Sequence, residues 1–515
     1  MTQHSRLPVR ASLALAFTAT AFAPTAWAAF DSGSTGADGA LNATAGMEIQ
    51  LPPSGILNYT TINIPAGVTV KFKRNAANTP AYILASGDVT IAGTLDVRGT
   101  DGKATGTYGD GAQADDGLPG EGGPGGFSGG RGGRSDAQLR GTIVRGGAGL
   151  GPGGGPGGIE GENGCTPEGG YYKYPGTGGG YANSAYRYYS TYNCAANYGP
   201  VGLSYGSTLL QPLAGGSGGG GGRGGTNFPG SGGGGGGGAV LIASSGTLRI
   251  TGSIDATGGD GAGHAGTGTG GQGAGGSGGA IRLVATTVAG NGSVLANGGC
   301  INYNNSRRQY CGYDGRNNYG GSEGRIRIEG ESITFSGTSQ PTFVRGDIGP
   351  VFIANAPALR ISAVAGQAVA AVPTGSNDVS LPASTTGPVV VTFETTNVPV
   401  GNTVQLRVVP VNGMPSEAIS PAITGTTASG TAQVSVVLPQ GSSTLQATTT
   451  YTVVVAALGD DALSEKLSRL ASNERVEKVE VTIALDGGAR ARLVTGSGRT
   501  FDMPYETLSA IGFKG

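Results

Sequence analysis

The sequence predicts a mainly β fold: a parallel β-helix carrying long glycine-rich insertions, then a β-sandwich, then a small α+β unit. Three observations predict it. A short strand-like motif recurs four times, glycine interrupts it in dense tracts, and the composition changes abruptly near Pro350.

The chain opens as an export signal. Arg6 and Arg10 precede an apolar run from Ala11 to Ala23, and Ala26-Trp27-Ala28 is a small-x-small cleavage site. Cleavage after Ala28 is expected, which removes the only Trp. The two arginines are not adjacent, so a Sec-type route is expected rather than a twin-arginine one. No later stretch approaches the ~20 apolar residues of a membrane span. The expected location is extracellular, at the cell surface or in the periplasm. The net charge is −1 and charged residues are only 13% of the chain. That balance argues against nucleic acid or an anionic membrane as partner.

The repeat occupies residues 29–350. Its four copies are "DVTIAGTLDVRG" (Asp88–Gly99), "TLRITGSIDATG" (Thr247–Gly258), "TVAGNGSVLANG" (Thr287–Gly298) and "SITFSGTSQPTF" (Ser332–Phe343). Each sets an apolar residue four positions before a glycine: Val89–Gly93, Leu248–Gly252, Val288–Gly292 and Ile333–Gly337. Leu95, Ile254 and Val294 follow two after; the last copy has Ser339 there and reads as a terminal unit. Upstream of each runs a second alternating segment: "AYILAS", "AVLIAS", "AIRLVA" and "RIRIEG". That is the period of a half-buried strand. The glycines lie 159, 40 and 45 residues apart. A constant unit with variable insertions (100–238, 258–279 and 298–323) marks a solenoid whose loops leave from one corner. Stacking would put Arg282 and Arg327 on adjacent rungs, where like charges repel. Both should point outward and share an acid such as Glu329. Asp96 and Asp255 also match, unless the large insertion separates them.

The insertions hold much of the glycine, 104 residues in all. In "GLPGEGGPGGFSGGRG" (Gly117–Gly132) glycine falls at every third position. A polyproline II helix has three residues per turn and no internal hydrogen bonds, so such runs could pack as a bundle. Structureless glycine loops are the other reading. Collagen fits poorly, because the runs are short and proline is sparse.

Four Cys behind an export signal favour disulfides. Sequence neighbourhood pairs Cys165 with Cys194 and Cys300 with Cys311. Ten of the 19 Tyr lie between Tyr171 and Tyr205, and a second Tyr/Asn/Arg cluster spans Ile301–Gly320. Tyr gives large contact area at low entropic cost, and Asn, Ser and Gly give adaptable hydrogen bonds. The candidate ligand-binding residues are Tyr186, Arg187, Tyr188, Tyr189 and Tyr192 in the first cluster. In the second they are Tyr303, Arg307, Arg308, Tyr310 and Tyr313. The competing reading is that Tyr plugs these loops onto the glycine segments. Asp110, Asp115 and Asp116 in a turn-rich loop could hold calcium through carboxylate and carbonyl oxygens. No other cofactor is expected. No catalytic residue is picked: once the leader is removed His264 is the only His, and the other carboxylates are scattered.

After Pro350, Val/Thr alternation takes over, as in "PVVVTFETTNVP" and "TAQVSVVLPQG". It reads as a β-sandwich over 357–457, without the immunoglobulin disulfide. Residues 458–515 read as a helix with Leu463, Leu467 and Leu470 at helical spacing, then a hairpin.

Taken together, "FDSGSTGADGALNATAG" (Phe30–Gly46), the repeat and "GGSGGAIRLVA" resemble secreted glycine-rich, pectin-lyase-like β-helical surface proteins of Gram-negative bacteria. The 357–457 segment resembles the Ig-like or fibronectin-like modules appended to them. The resemblance implies the fold and the location, and it carries over no functional residue. By analogy it favours a non-enzymatic structural or adhesive role, with extracellular polysaccharide or cell-surface components as partners. The alternative is a polysaccharide lyase, glycosidase or carbohydrate-binding protein. A flat glycine-helix face would also suit ice.

Overall fold

The structure is a computed structural model. It describes residues 30–76, 78–104, 117–134, 145–158, 175–185, 201–225, 229–263, 270–303, 308–310, 320–352, 356–369, 378–410, 414–485 and 489–514. It is mainly β, with parallel sheets in the first 350 residues.

The strands there are β1 (Gly39–Asn42), β2 (Met47–Gln50), β3 (Ile56–Ile64), β4 (Thr69–Lys73), β5 (Ala81–Ala85), β6 (Val89–Ile91) and β7 (Thr94–Asp96). They continue with β8 (Ala239–Ile250), β9 (Ser253–Asp255), β10 (Ala280–Ala289), β11 (Ser293–Leu295), β12 (Ile301–Tyr303), β13 (Arg308–Tyr310), β14 (Arg325–Ile333), β15 (Thr338–Gln340) and β16 (Val344–Gly346). One sheet orders β1-β3-β5-β8-β10-β14-β16, with β6 between β3 and β8. A second orders β15-β11-β9-β7-β4-β2. Apart from the β12–β13 hairpin, the chain alternates between the two sheets, with β5 and β6 both in the first.

The repeat sets the register. Ile83, Ile242, Leu283 and Ile328 stack in the first sheet. Val70, Leu95, Ile254 and Val294 stack in the second. These rows are buried together in one core between the sheets, so a single unit's apolar face is covered by its opposite strand and by its neighbours. Phe335 and Phe343 pack edge to face at the last turn, with Arg345 over the Phe343 ring.

The outward-facing arginines differ from expectation. Arg282 and Arg327 are register partners and share Glu329, as their spacing predicts. They do face away from the inner core, but that side is not solvent. Residues 346–350 close over the trio, with the Gly349 N–H donating to Glu329 and Arg282 donating to the Pro350 carbonyl, and Tyr181, Tyr205, Leu210 and Leu213 pack on the same side of the sheet; Arg282 and Glu329 are each only 1% exposed and Arg327 12%. Asp96 and Asp255, 159 residues apart, are direct partners: the 100–238 insertion leaves and returns without disturbing the stack.

The glycine segments are ordered by backbone hydrogen bonds with a three-residue period. Along 230–238 every N–H donates outward in rotation. Gly230, Gly233 and Gly236 donate to Gly133, Gly130 and Phe127; Ser231, Gly234 and Gly237 donate to Gly271, Ala274 and Ser277; Gly232, Gly235 and Gly238 donate to Lys103, Thr100 and Val97. The carbonyls accept from three further segments, for example from Gly219 to Gly234, from Gly120 to Gly233 and from Gly259 to Gly235. Segment 230–238 is therefore surrounded by six others and is buried throughout. The change of period can be located. Val97 and Gly99 donate to Asp255 and Thr257, two apart as in a strand; Gly102 next donates to Asp260, three apart. The glycine segments thus continue the sheets: 97–103 and 256–263 leave the second sheet, and 229–238 and 270–279 return to the first.

The remaining strands are β17 (Ala358–Val364), β18 (Gln367–Ala368), β19 (Val389–Thr396), β20 (Val404–Pro410), β21 (Ser416–Ile419), β22 (Thr424–Gly425), β23 (Gly430–Val436) and β24 (Ser443–Val454). The helix α1 (Asp461–Leu470) follows, then β25 (Val476–Ala484), β26 (Ala489–Thr495), β27 (Thr500–Pro504) and α2 (Tyr505–Ala510). They form two antiparallel sheets, β18-β17-β19-β23-β22 and β21-β20-β24-β25-β26-β27, around one core. The expected boundary at 457/458 is corrected here. β24 pairs with β25 from Thr448↔Ala484 to Val454↔Lys478, so residues 458–515 complete the second sheet. Leu463 and Leu467 of α1 are buried in the shared core, and Asp460 caps the helix by accepting from the Leu463 N–H.

Candidate functional site

The register of the glycine segments brings several chain excursions to one end. At that end the Gly232 N–H donates to Lys103, Lys103 to Leu118, Ser231 to Gly271, Gly222 to Ser231, Gly158 to Gly221, Gly176 to Gln272 and Gly261 to Cys300. Lys103, Leu118, Gly133, Gly158, Gly176, Gly222, Ala262 and Cys300 are thus near one level. They flank the segments 105–116, 135–144, 159–174, 226–228, 264–269 and 304–319.

Most of the predicted site residues lie in or beside those segments. Asp110, Asp115, Asp116, Cys165, His264, Arg307, Cys311 and Tyr313 lie outside the described residues. So do Tyr186, Arg187, Tyr188, Tyr189, Tyr192 and Cys194, whose segment is anchored elsewhere. There the Ala185 N–H donates to Gly202, beside Gly153 and Gly180. Tyr303, Arg308 and Tyr310 are described in backbone only, on the antiparallel pair β12–β13. Cys300 is disulfide-bonded, and Cys165, Cys194 and Cys311 all lie outside the described residues. Among the described residues no three His, Cys, Asp or Glu side chains gather as a metal site would require.

Tyr181 and Tyr205 are the two of the ten clustered tyrosines that lie among the described residues, and they serve packing. The Tyr181 hydroxyl donates to Ala214 at 3.0 Å and the Tyr205 hydroxyl to Gly215 at 2.5 Å. The rings meet at 4.8 Å, and the Arg325 guanidinium sits 5.5 Å from the Tyr181 centroid. This is the plugging role at these two positions.

Acidic residues recur on the outer side of the second sheet and its glycine continuation. Asp101 Oδ1 accepts the Asp260 N–H at 2.8 Å, and Asp260 Oδ1 accepts the Cys300 N–H at 2.7 Å. Nearer the strands, Arg98 bonds Asp96 at 2.9 Å and reaches Asp255 at 3.8 Å. Burial raises the pKa of the Asp96 carboxyl, but hydrogen bonds from Arg98 and its charge outweigh that, leaving it below the ordinary value. The pair stays ionised and internally satisfied, which is poor equipment for proton transfer.

One surface feature escaped sequence reasoning. Thr69, Thr94, Ser253, Ser293 and Thr338 are consecutive register partners on the outer face of the second sheet. Four of them directly follow the repeat glycines Gly93, Gly252, Gly292 and Gly337, which was the available signal.

Comparison with known proteins found no matching family model, curated relative or solved structure.

Proposed function

We propose that this protein is an exported, non-enzymatic structural or adhesive protein of the cell surface or surroundings. In this reading the alternating parallel sheets are a parallel β-helix. The glycine segments are polyproline II helices packed as a rigid extension of its corner, and residues 357–515 are an appended Ig-like module. The observation that carries the reading is the convergence of loop anchors at one end of the glycine segments. A scaffold that invests so much backbone in stiffness, and then emits loops from one end, suits presentation of contact surfaces. The Tyr/Asn/Arg-rich loops are the proposed contact elements, the second anchored at that end and the first beside Gly153 and Gly180, with glycans or cell-surface components as partners.

Fractionation of expressing cells, with amino-terminal sequencing of the mature chain, tests the location. The expected chain starts at Ala29 and is digested by protease added to intact cells or is found in the medium. A glycan array run beside lyase and hydrolase screens tests the chemistry. Binding without turnover is expected. Turnover by the purified protein that one carboxylate substitution abolishes would make it a polysaccharide-active enzyme.

A further inference from the structure

We propose that the outer face of the second sheet is itself a docking surface, for an uncharged, extended polysaccharide lying along the stacking direction. This rests on the adhesive reading only in supposing that the protein meets a polysaccharide; the face shares no residue with the loops. Its centre is the hydroxyl row Thr69–Thr94–Ser253–Ser293–Thr338. The outer members are exposed and the inner three half-buried. Stacked strands are ~4.8 Å apart, so five rungs present hydroxyls at a fixed spacing over about 19 Å. A hydroxyl both donates and accepts, as does every hydroxyl of a sugar.

The neighbouring groups argue for an uncharged occupant. The next rows hold Lys71, Lys73 and Arg98 against Glu48, Asp96 and Asp255, three cations and three anions. They are largely paired among themselves: Lys73 with Glu48 at 2.9 Å, and Arg98 with Asp96 at 2.9 Å and Asp255 at 3.8 Å. Lys71 stands in register between Glu48 and Asp96, so the rows are balanced and offer no net positive charge to attract a polyanion. Asn297 and Gln340, hydrogen-bonded to each other at 3.2 Å, add planar amide groups at the same edge. Leu295 is the one apolar side chain in the row Lys71–Asp96–Asp255–Leu295–Gln340. A protein partner would need buried aromatic or aliphatic anchors that the face does not offer.

The test is retention of the mature chain on microcrystalline cellulose and chitin, with polygalacturonate as the acidic comparison. Two variants probe the row. Ser293→Glu puts a charge within it; Thr94→Val removes a hydroxyl while keeping the β-branched shape. Retention on at least one neutral polymer is expected, weakened tenfold or more by Ser293→Glu and several-fold by Thr94→Val, with polygalacturonate bound poorly. If Ser293→Glu does not fold, Thr94→Val at unchanged Tm decides. Retention that neither variant alters moves the binding to the loops: this proposal falls and the adhesive reading stands. Retention on polygalacturonate alone, or on none of the three, also overturns it, as does an ice-growth arrest abolished by the same substitutions.

Discussion

Gly234→Ala is expected to destabilise the first 350 residues by about 3 kcal/mol or more, the upper end of overpacking costs. A Cβ at Gly234 would lie 2.0 Å from the Gly259 carbonyl oxygen and 2.5 Å from its carbon. No side chain can swing away, because the clashing atoms are backbone. That backbone is held on its other side, where the Gly259 N–H donates to Gly235 at 2.7 Å. Relief of the clash would pull segment 256–263 from segment 229–238 and break bonds in both. Gly237→Ala, whose Cβ would lie 1.9 Å from the Ala256 oxygen, should behave alike. Gly387→Ala is the control, since nothing lies within 4 Å of a Cβ there; it should change stability by no more than about 0.5 kcal/mol. Thermal unfolding followed by circular dichroism reads all three. Equal Tm values for Gly234→Ala and the control would mean that the glycine segments are solvated loops.

The second large effect is at Glu329, where Gln is expected to cost about 3–5 kcal/mol. The carboxylate receives Arg282 at 3.0 and 2.8 Å, Arg327 at 2.5 Å and the Gly349 N–H at 2.9 Å. Removing its charge leaves two guanidinium groups on adjacent rungs, one of them 1% exposed, with nothing to neutralise them. Replacing Arg282 by Met and Glu329 by Leu together should cost less than Glu329→Gln alone, because one guanidinium, the less buried Arg327, is left without an acid instead of two.

The same group sets a pH dependence. Burial pushes the Glu329 carboxyl pKa up, but the hydrogen bonds and charge of Arg282, the Gly349 N–H and Arg327 together bring it below 4.5. Its folded pKa is thus lower than its unfolded one. The stabilisation is fully present above the unfolded value, near 4.5, and is lost as pH falls through the folded value. Wild-type Tm should drop across that acid range, and Glu329→Gln should flatten the drop. Unchanged Tm and an unchanged acid slope in the variant would show that the cluster contributes no net stability.

Much of the first region was legible because its signals are local and repeated. The apolar residue four before each glycine fixed which residues stack, and Arg282, Arg327 and Glu329 followed from that register alone. The burial of that trio was not legible. It depends on residues 346–350 folding back over the rungs, in a stretch with no repeat signal, and on the layer of Tyr181, Tyr205 and Leu210 on the same side of the sheet. The three-residue period was readable only at Gly117–Gly132, where other residue types mark the gaps. Across 232–238 every position is glycine, so any period fits, and only the partner segments reveal the rotation of the hydrogen bonds. The helix α1 suggested a new unit after 457, because helical spacing says nothing of which strands pair around it. The outer hydroxyl row was present in the sequence as the residue after each repeat glycine. The apolar residue one position further carries the stronger periodic signal and masks it. The tyrosine, cysteine and aspartate candidates were chosen by composition alone, which names residue types but does not position them.

Hydrogen exchange at the amides of Gly230–Gly238 tests the central claim most directly. Ordered glycine segments bonded in rotation to their neighbours predict slow exchange at all nine, comparable to the amides of β8 and β10. Exchange there at the rate of an unprotected peptide, while β8 and β10 stay protected, would contradict it.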